Sequence, residues 1–89
     1  MKTIAIDFAG VLSRNGVPVD DAKDSLNKLA QEYIVTIFTT EDTKMVKKWL
    51  IQWGFPDYEV TNTKPVAIAY VDDRAIRFVS WYDTLKYFI

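Results

Sequence analysis

Residues 2–12 decide the fold, and they read Lys-Thr-Ile-Ala-Ile-Asp-Phe-Ala-Gly-Val-Leu. An apolar run, Ile4–Ile6, leads directly to the carboxylate of Asp7, and the small residues Ala9 and Gly10 follow it. This order predicts a buried strand that ends in a turn. Ligands of an open parallel sheet bind where the carboxyl ends of its strands meet, so Asp7 is a candidate functional residue. Capping of the turn is the alternative role for an aspartate at this place.

The composition limits the size of the protein and its partners. With 89 residues, of which 49% are hydrophobic, the chain predicts a single domain spanning residues 1–89 and no second module. A net charge of −1 with scattered lysines argues against a nucleic-acid partner. The chain lacks a long apolar run and a signal-peptide pattern, so we expect a cytoplasmic protein without a membrane partner.

Two residue types are missing, and their absence excludes several chemistries. The sequence contains no histidine, which removes Ser/His/Asp and Cys/His catalysis. It also contains no cysteine, which removes disulfides and thiolate metal sites. A side chain that donates a proton in catalysis would therefore have to be an acid, a lysine or a tyrosine.

Two further apolar strands are predicted, each following a helical segment or a loop. Residues 34–38 form the first and are followed by Thr39, and residues 66–71 form the second and are followed by Asp72 and Asp73. Amphipathic helices are predicted before and after the strand at 34–38. Strands that alternate with helices indicate a Rossmann-like three-layer α/β/α sandwich with a mostly parallel sheet.

Several local signals complete the prediction. Asn15-Gly16, between short apolar segments, predicts a β-hairpin that lies beside Asp7. Asp20 or Asp21 is expected to cap the first helix, and Ser80 the last one. The second helix is expected to bury one apolar stripe, which consists of Met45, Val46, Trp49, Leu50 and Trp53.

The predicted strand ends bring polar groups of complementary kinds to one edge of the sheet. Carboxylates from Asp7, Asp72 and Asp73 would converge there, beside the hydroxyl of Thr39. Close carboxylates repel one another, and a hard cation bound by oxygen ligands, such as Mg²⁺, resolves the repulsion. Such a cation would also neutralise a phosphate group, and Lys64 is near enough in the chain to reach the same anion.

These residues resemble the motifs of the haloacid dehalogenase-like (HAD) superfamily. The stretch Asp7–Leu12 is similar to the first motif, Asp-x-Asp-Gly-(Thr/Val)-(Leu/Val), and Val71–Arg74 is similar to the fourth. Thr39 and Lys64 resemble the second and third motifs, so the resemblance covers nearly the whole chain. It implies that these two residues hold phosphoryl oxygens, and it leaves no room for a cap domain.

The resemblance also implies a mechanism and a metal site. Asp7 would be the nucleophile that takes the phosphoryl group, and water would then hydrolyse the aspartyl-phosphate. A Mg²⁺ ion would bind Asp7, the backbone carbonyl of Ala9, and Asp72, either directly or together with Asp73 through water.

Ala9 departs from the family pattern, because phosphatases of this family carry a second aspartate there as general acid and base. Its loss removes assistance that is commonly worth about 10²–10⁴-fold in rate. Three explanations remain open. They are an engineered Asp→Ala change, a native pseudo-enzyme that binds a phosphorylated ligand, and a phosphonatase-like chemistry.

The expected function is therefore a Mg²⁺-dependent phosphohydrolase scaffold that Ala9 inactivates or strongly impairs. The alternative is a non-hydrolytic pseudo-phosphatase that binds a phosphorylated ligand or a protein partner, and a third possibility is a small α/β domain with an accidental acid cluster. The expected partner is a phosphorylated substrate of unknown size. A homo-oligomer is a further expectation, because a second copy would cover the open site.

Overall fold

The computed structural model of the protein describes residues 1–63, 67, 69–72 and 76–89, with the backbone alone for Asp72. Within these residues the chain forms the following elements: β1 (Thr3–Asp7), β2 (Ser13–Arg14), β3 (Val17–Pro18), α1 (Ala22–Leu29), β4 (Ile34–Phe38), α2 (Thr43–Gln52), β5 (Glu59–Thr61), β6 (Ala69–Asp72), β7 (Ile76–Arg77) and α3 (Trp81–Leu85).

The described strands form a five-stranded sheet in the order β5-β4-β1-β6-β7, and each neighbouring pair is parallel. The predicted α/β class with a mostly parallel sheet is therefore confirmed. β1 lies at the centre, with β4 on one side and β6 on the other. The two-residue strand β7 lies at the edge of the sheet beside β6.

The hydrophobic cluster that the described residues form lies on one face of this sheet. Successive residues of a strand point to opposite faces, so Ile4 and Ile6 of β1 share one face while Ala5 points to the other. The core cluster unites strand and helix residues: Ile4, Ile6, Val35, Ile37, Val71, Ala22, Leu26, Leu29, Val46, Leu50 and Trp81. The described helices α1, α2 and α3 therefore pack as one layer against the face of Ile4.

Helix α2 buries a narrower stripe than the sequence predicts. Val46 and Leu50 are buried, and Trp49 is half-buried. Met45 is 47% exposed and Trp53 is 38% exposed, so the prediction that both lie in the core is wrong. Met45 sits about 100° around the helix from Val46 and so falls at the margin of the stripe. Trp53 is the C-cap residue and lies beyond the last turn.

The helix caps differ from one another. Asp21 occupies the N-cap position of α1 with a φ of 67°, but its side chain makes no capping hydrogen bond. Ser80 caps α3 as predicted, because its Oγ accepts a hydrogen bond of 3.2 Å from the Asp83 amide. Asp42 caps α2 in the same way, accepting 2.9 Å from the Lys44 amide.

No described helix has both the length and the apolar character needed to cross a membrane.

Candidate functional site

The carboxyl ends of β1, β4 and β6 meet at one edge of the sheet. Asp7, the last residue of β1, pairs with Phe38, the last residue of β4, and Thr39 follows directly. Ile6 pairs with Val71 on the other side, so the backbone of Asp72 runs beside that of Asp7. The predicted convergence of these strand ends is confirmed at the level of the backbone.

Asp7 is half-buried and is held by the turn that follows it. Its Oδ1 accepts a hydrogen bond of 2.8 Å from the Phe8 amide. The Phe8 carbonyl in turn accepts 2.9 Å from the Leu12 amide and 3.1 Å from the Ser13 amide. Gly10 adopts a φ of 79° and its amide donates 2.8 Å to the Ser13 carbonyl. These bonds close a compact loop over residues 8–13, and the loop fixes the position of the carboxylate.

Ala9 is exposed at the tip of this loop, and its backbone carbonyl accepts no hydrogen bond from the described residues. The carbonyl oxygen of Ala9 and the carboxylate of Asp7 are both hard oxygen donors, which are the ligands that Mg²⁺ prefers. The described residues contain no group of three acidic side chains that could hold a metal ion. The Asp72 side chain and Asp73, which the sequence expects to complete the set, lie outside the described residues. Among the described residues, Asp7 and Ala9 thus supply two oxygen donors of the kind that Mg²⁺ prefers.

Thr39 is only 2% exposed and is held firmly. Its amide donates 3.0 Å to the Thr61 carbonyl, and its Oγ1 accepts 3.0 Å from the Glu41 amide. Because that bond uses a lone pair of the oxygen, the hydroxyl proton can still donate to a ligand. Lys64, the other expected phosphoryl-binding residue, lies outside the described residues.

We call the loop over residues 8–13, which follows Asp7, the acid loop. The predicted hairpin beside it is confirmed. Strands β2 and β3 pair antiparallel, and the turn residues Asn15 and Gly16 have φ values of 56° and 79°. Left-handed values at both central positions are typical of a type I′ turn. The Nε1–H of Trp49 donates a hydrogen bond of 3.0 Å to the Gly16 carbonyl, so the tip of the hairpin is attached to α2.

A pocket of about 460 Å³ lies between the acid loop, this hairpin and α2. Sequence analysis missed its lining residues Arg14, Glu41 and Met45. The spacing of Met45 and Trp49, four residues apart, shows that they share a helix face, but the same spacing is typical of core residues. Arg14 precedes the Asn15-Gly16 turn, and its Nη2 donates 3.3 Å to the Gly10 carbonyl.

Comparison with known proteins gives no match to a family model, to a curated protein or to a solved structure. The function must therefore be argued from the chemistry of the site itself.

Proposed function

We propose that the protein is a Mg²⁺-dependent phosphohydrolase scaffold of the HAD type that works through an aspartyl-phosphate on Asp7 and is strongly impaired by Ala9. The observation that carries the proposal is the parallel register of β1 between β4 and β6. This register brings Asp7, Thr39 and the backbone of Asp72 to the edge of the sheet where ligands of such folds bind.

In the proposed reaction, a carboxylate oxygen of Asp7 attacks phosphorus, and the bond to the leaving oxygen breaks. Water then attacks the same phosphorus and releases inorganic phosphate and the free carboxylate. The loop over residues 8–13 keeps Asp7 in place for the attack, and positioning of this kind supplies most of the catalysis in phosphoryl transfer. Thr39 and Lys64 are the proposed donors to the phosphoryl oxygens.

Mg²⁺ would be held by Asp7, by the carbonyl of Ala9 and by Asp72 and Asp73, and it would supply neutralisation of phosphate charge. The carbonyl of Ala9 remains a donor whatever the side chain at this position, because it belongs to the backbone. Metal binding is therefore expected to survive the departure from the family motif.

Ala9 favours the second candidate function, a pseudo-phosphatase that binds a phosphorylated ligand without hydrolysing it. A methyl group can neither protonate a leaving oxygen nor take a proton from water, and no histidine exists to replace it. Both candidates share the phosphate and metal site, and they differ only in turnover.

The proposal includes the finer fold that the resemblance implies, a three-layer sandwich with a second layer on the face of Ala5 and Thr36. Both residues are buried, at 1% and 3% exposure, although the described helices pack on the opposite face. The burial of Ala5 and Thr36 supports a second layer that covers their face of the sheet. We also propose a cytoplasmic location and, as a further possibility to test, a second copy over the site.

The metal and nucleophile roles can be tested together with beryllofluoride, which mimics a phosphoryl group on a carboxylate. We expect Mg²⁺ with beryllofluoride to raise the melting temperature of the protein, because a ligand that binds only the folded state stabilises it. The variant Asp7→Asn should lose this response. Asp57→Asn, at an exposed position distant in the chain, is the matched control and should keep it. A response that persists in Asp7→Asn would overturn the assignment of the nucleophile.

A further inference from the structure

The pocket between the acid loop, the hairpin of β2 and β3 and helix α2 is not needed to bind a phosphate. Its volume of about 460 Å³ is within the range of small-molecule sites. Phe8, Met45 and Trp49 supply its apolar side chains. This apolar part of the lining is unsuited to a phosphoryl group but suited to the group that a phosphate ester carries, and the rest of the lining is polar, with Ser13, Arg14, Asn15 and Glu41.

The pocket is adjacent to the proposed nucleophile in the chain. Ala9 and Gly10 line it, and they follow Asp7 by two and three residues. Two residues of extended chain span at most about 7 Å, so Ala9 lies within this distance of Asp7 along the backbone. The wall of the pocket at Ala9 and Gly10 therefore lies close to the backbone of Asp7, which does not itself line the pocket.

The aromatic part of the pocket is held in place before any ligand binds. The ring of Trp49 meets that of Phe8 edge to face, with 5.0 Å between centroids and 86° between planes. It also packs against Phe55 at 5.5 Å. The bond from its Nε1–H to the Gly16 carbonyl fixes the ring from a third side. A ring held in this way adds contact area to a ligand at little cost in conformational entropy.

Met45 extends this surface and is not part of the hydrophobic cluster that the described residues form. It is 47% exposed, although it lies one turn before the half-buried Trp49 on the same helix. Methionine is flexible and polarisable, and its sulfur makes favourable contacts with aromatic rings. An exposed methionine beside a fixed indole is a surface suited to a flat aromatic group.

We propose that this pocket binds the leaving group of the substrate and that the substrate class is small phosphomonoesters carrying a flat aromatic ring. The inference rests on the proposed phosphate site at Asp7. The ring would lie against Trp49 and Met45, while the phosphate lies at the edge of the sheet. Arg14, attached to the Gly10 carbonyl at 3.3 Å, is the cation on the hairpin side of the pocket.

An NMR titration tests the proposal with the full chain and Mg²⁺. The probes are phenyl phosphate, cyclohexyl phosphate and inorganic phosphate, with adenosine 5′-monophosphate to separate a nucleotide base from a directly attached ring. The indole N–H signals of Trp49, Trp53 and Trp81 report where each probe binds. We expect phenyl phosphate to bind about fivefold more tightly than cyclohexyl phosphate, because aromatic pairs gain affinity beyond their buried area. Only phenyl phosphate should shift the Trp49 signal strongly.

Three variants connect this preference to the pocket. Met45→Glu changes an exposed side chain and should remove the preference for phenyl phosphate without loss of the fold. Trp49→Leu should remove it as well. Ile51→Ala removes an exposed side chain of the same helix that does not line the pocket, and it should keep the preference.

The outcomes separate this inference from the proposed function. Equal affinity for phenyl and cyclohexyl phosphate, with Mg²⁺-dependent binding of inorganic phosphate intact, overturns the aromatic pocket alone. A phenyl preference that survives both Met45→Glu and Trp49→Leu overturns it too. If no phosphate binds in a Mg²⁺-dependent manner, the proposed function fails and the inference fails with it. If adenosine 5′-monophosphate binds more tightly than phenyl phosphate, the aromatic ring that the pocket binds is a nucleotide base, and the proposed substrate class narrows to nucleotides.

Discussion

At the scale of single residues, the position of Asp7 depends on the backbone that surrounds it. Its Oδ1 accepts a hydrogen bond from the Phe8 amide, and the Phe8 carbonyl accepts hydrogen bonds from the amides of Leu12 and Ser13. A local loop therefore contributes to fixing the carboxylate. The short motif from Asp7 to Leu12 contains all of this loop except Ser13, which explains why the sequence alone predicts a turn after Asp7.

Thr39 has a structural role that a substitution can separate from ligand binding. Its Oγ1 accepts the Glu41 amide at 3.0 Å at the entrance to α2. Thr39→Val keeps the shape but leaves that amide without its partner, so we expect a loss of about 0.5–1.5 kcal/mol in the free energy of unfolding. Thr39→Ser restores the hydroxyl and should recover most of this loss. Urea denaturation measures both variants.

The response of the two Thr39 variants to phosphate tests the second role. If the hydroxyl also donates to a phosphoryl oxygen, Thr39→Val should reduce the Mg²⁺-dependent stabilisation by inorganic phosphate, and Thr39→Ser should restore it. A phosphate response that is unchanged in Thr39→Val would limit this residue to capping the turn.

At the scale of elements, the hairpin of β2 and β3 depends on two residues with left-handed backbone conformations. Gly16 has a φ of 79°, and a side chain there would meet no other atom within 4 Å. Gly16→Ala therefore tests conformation alone, and we expect it to cost about 1–2 kcal/mol. Asn15→Gly, at a φ of 56°, is the control and should change stability by less than about 1 kcal/mol. Equal stability of Gly16→Ala and the unmodified protein would contradict the observed turn.

Tyr58 connects α1 to the segment before β5, and it gives stability a dependence on pH. Its hydroxyl donates 3.1 Å to Oδ1 of Asn27, and burial raises the pKa of Tyr58 above its usual value of 10.0. The unfolded chain therefore loses this proton first as pH rises, so the contribution is complete below pH 10 and is lost as pH rises through the higher folded pKa.

The matched variants for this effect are Tyr58→Phe and Tyr87→Phe. Tyr58→Phe should make the alkaline decline of the melting temperature shallower, because the group that titrates is gone. Tyr87 is 70% exposed, so Tyr87→Phe should leave the decline unchanged. A decline that is identical in Tyr58→Phe and in the unmodified protein would show that burial of this hydroxyl has no effect on alkaline stability.

The elements also show where sequence patterns succeed and where they fail. The apolar runs predict β1 and β4 because their residues are buried on both sides of the sheet, and Asn15-Gly16 predicts the hairpin because few residues tolerate its backbone. The stripe of α2 is predicted too wide. Periodicity shows that Met45 and Trp49 share a face, but only the position of the hairpin decides that this face lines a pocket.

At the scale of the whole molecule, the arrangement of layers depends on strand order, which local patterns do not contain. Both crossovers, from β1 to β4 and from β4 to β5, move in the same direction across the sheet. Because such connections are right-handed, α1 and α2 must lie on the same face. The sequence therefore predicts the class of the fold and the edge at which Asp7 lies, while the number of helical layers needs the three-dimensional order of the strands.

The central claim is that a phosphatase site is present and lacks only its proton donor. The most direct test is Mg²⁺-dependent hydrolysis of phenyl phosphate, whose leaving oxygen needs a proton, by the unmodified protein, by Ala9→Asp and by Ala9→Asn, which is similar in size but cannot transfer a proton in the same way. We expect Ala9→Asp to be faster by about two orders of magnitude, which is the usual contribution of a general acid and base. Ala9→Asn should stay near the rate of the unmodified protein. A folded, Mg²⁺-binding Ala9→Asp variant without any increase in rate would contradict the claim and would favour the role of a phosphate-binding protein.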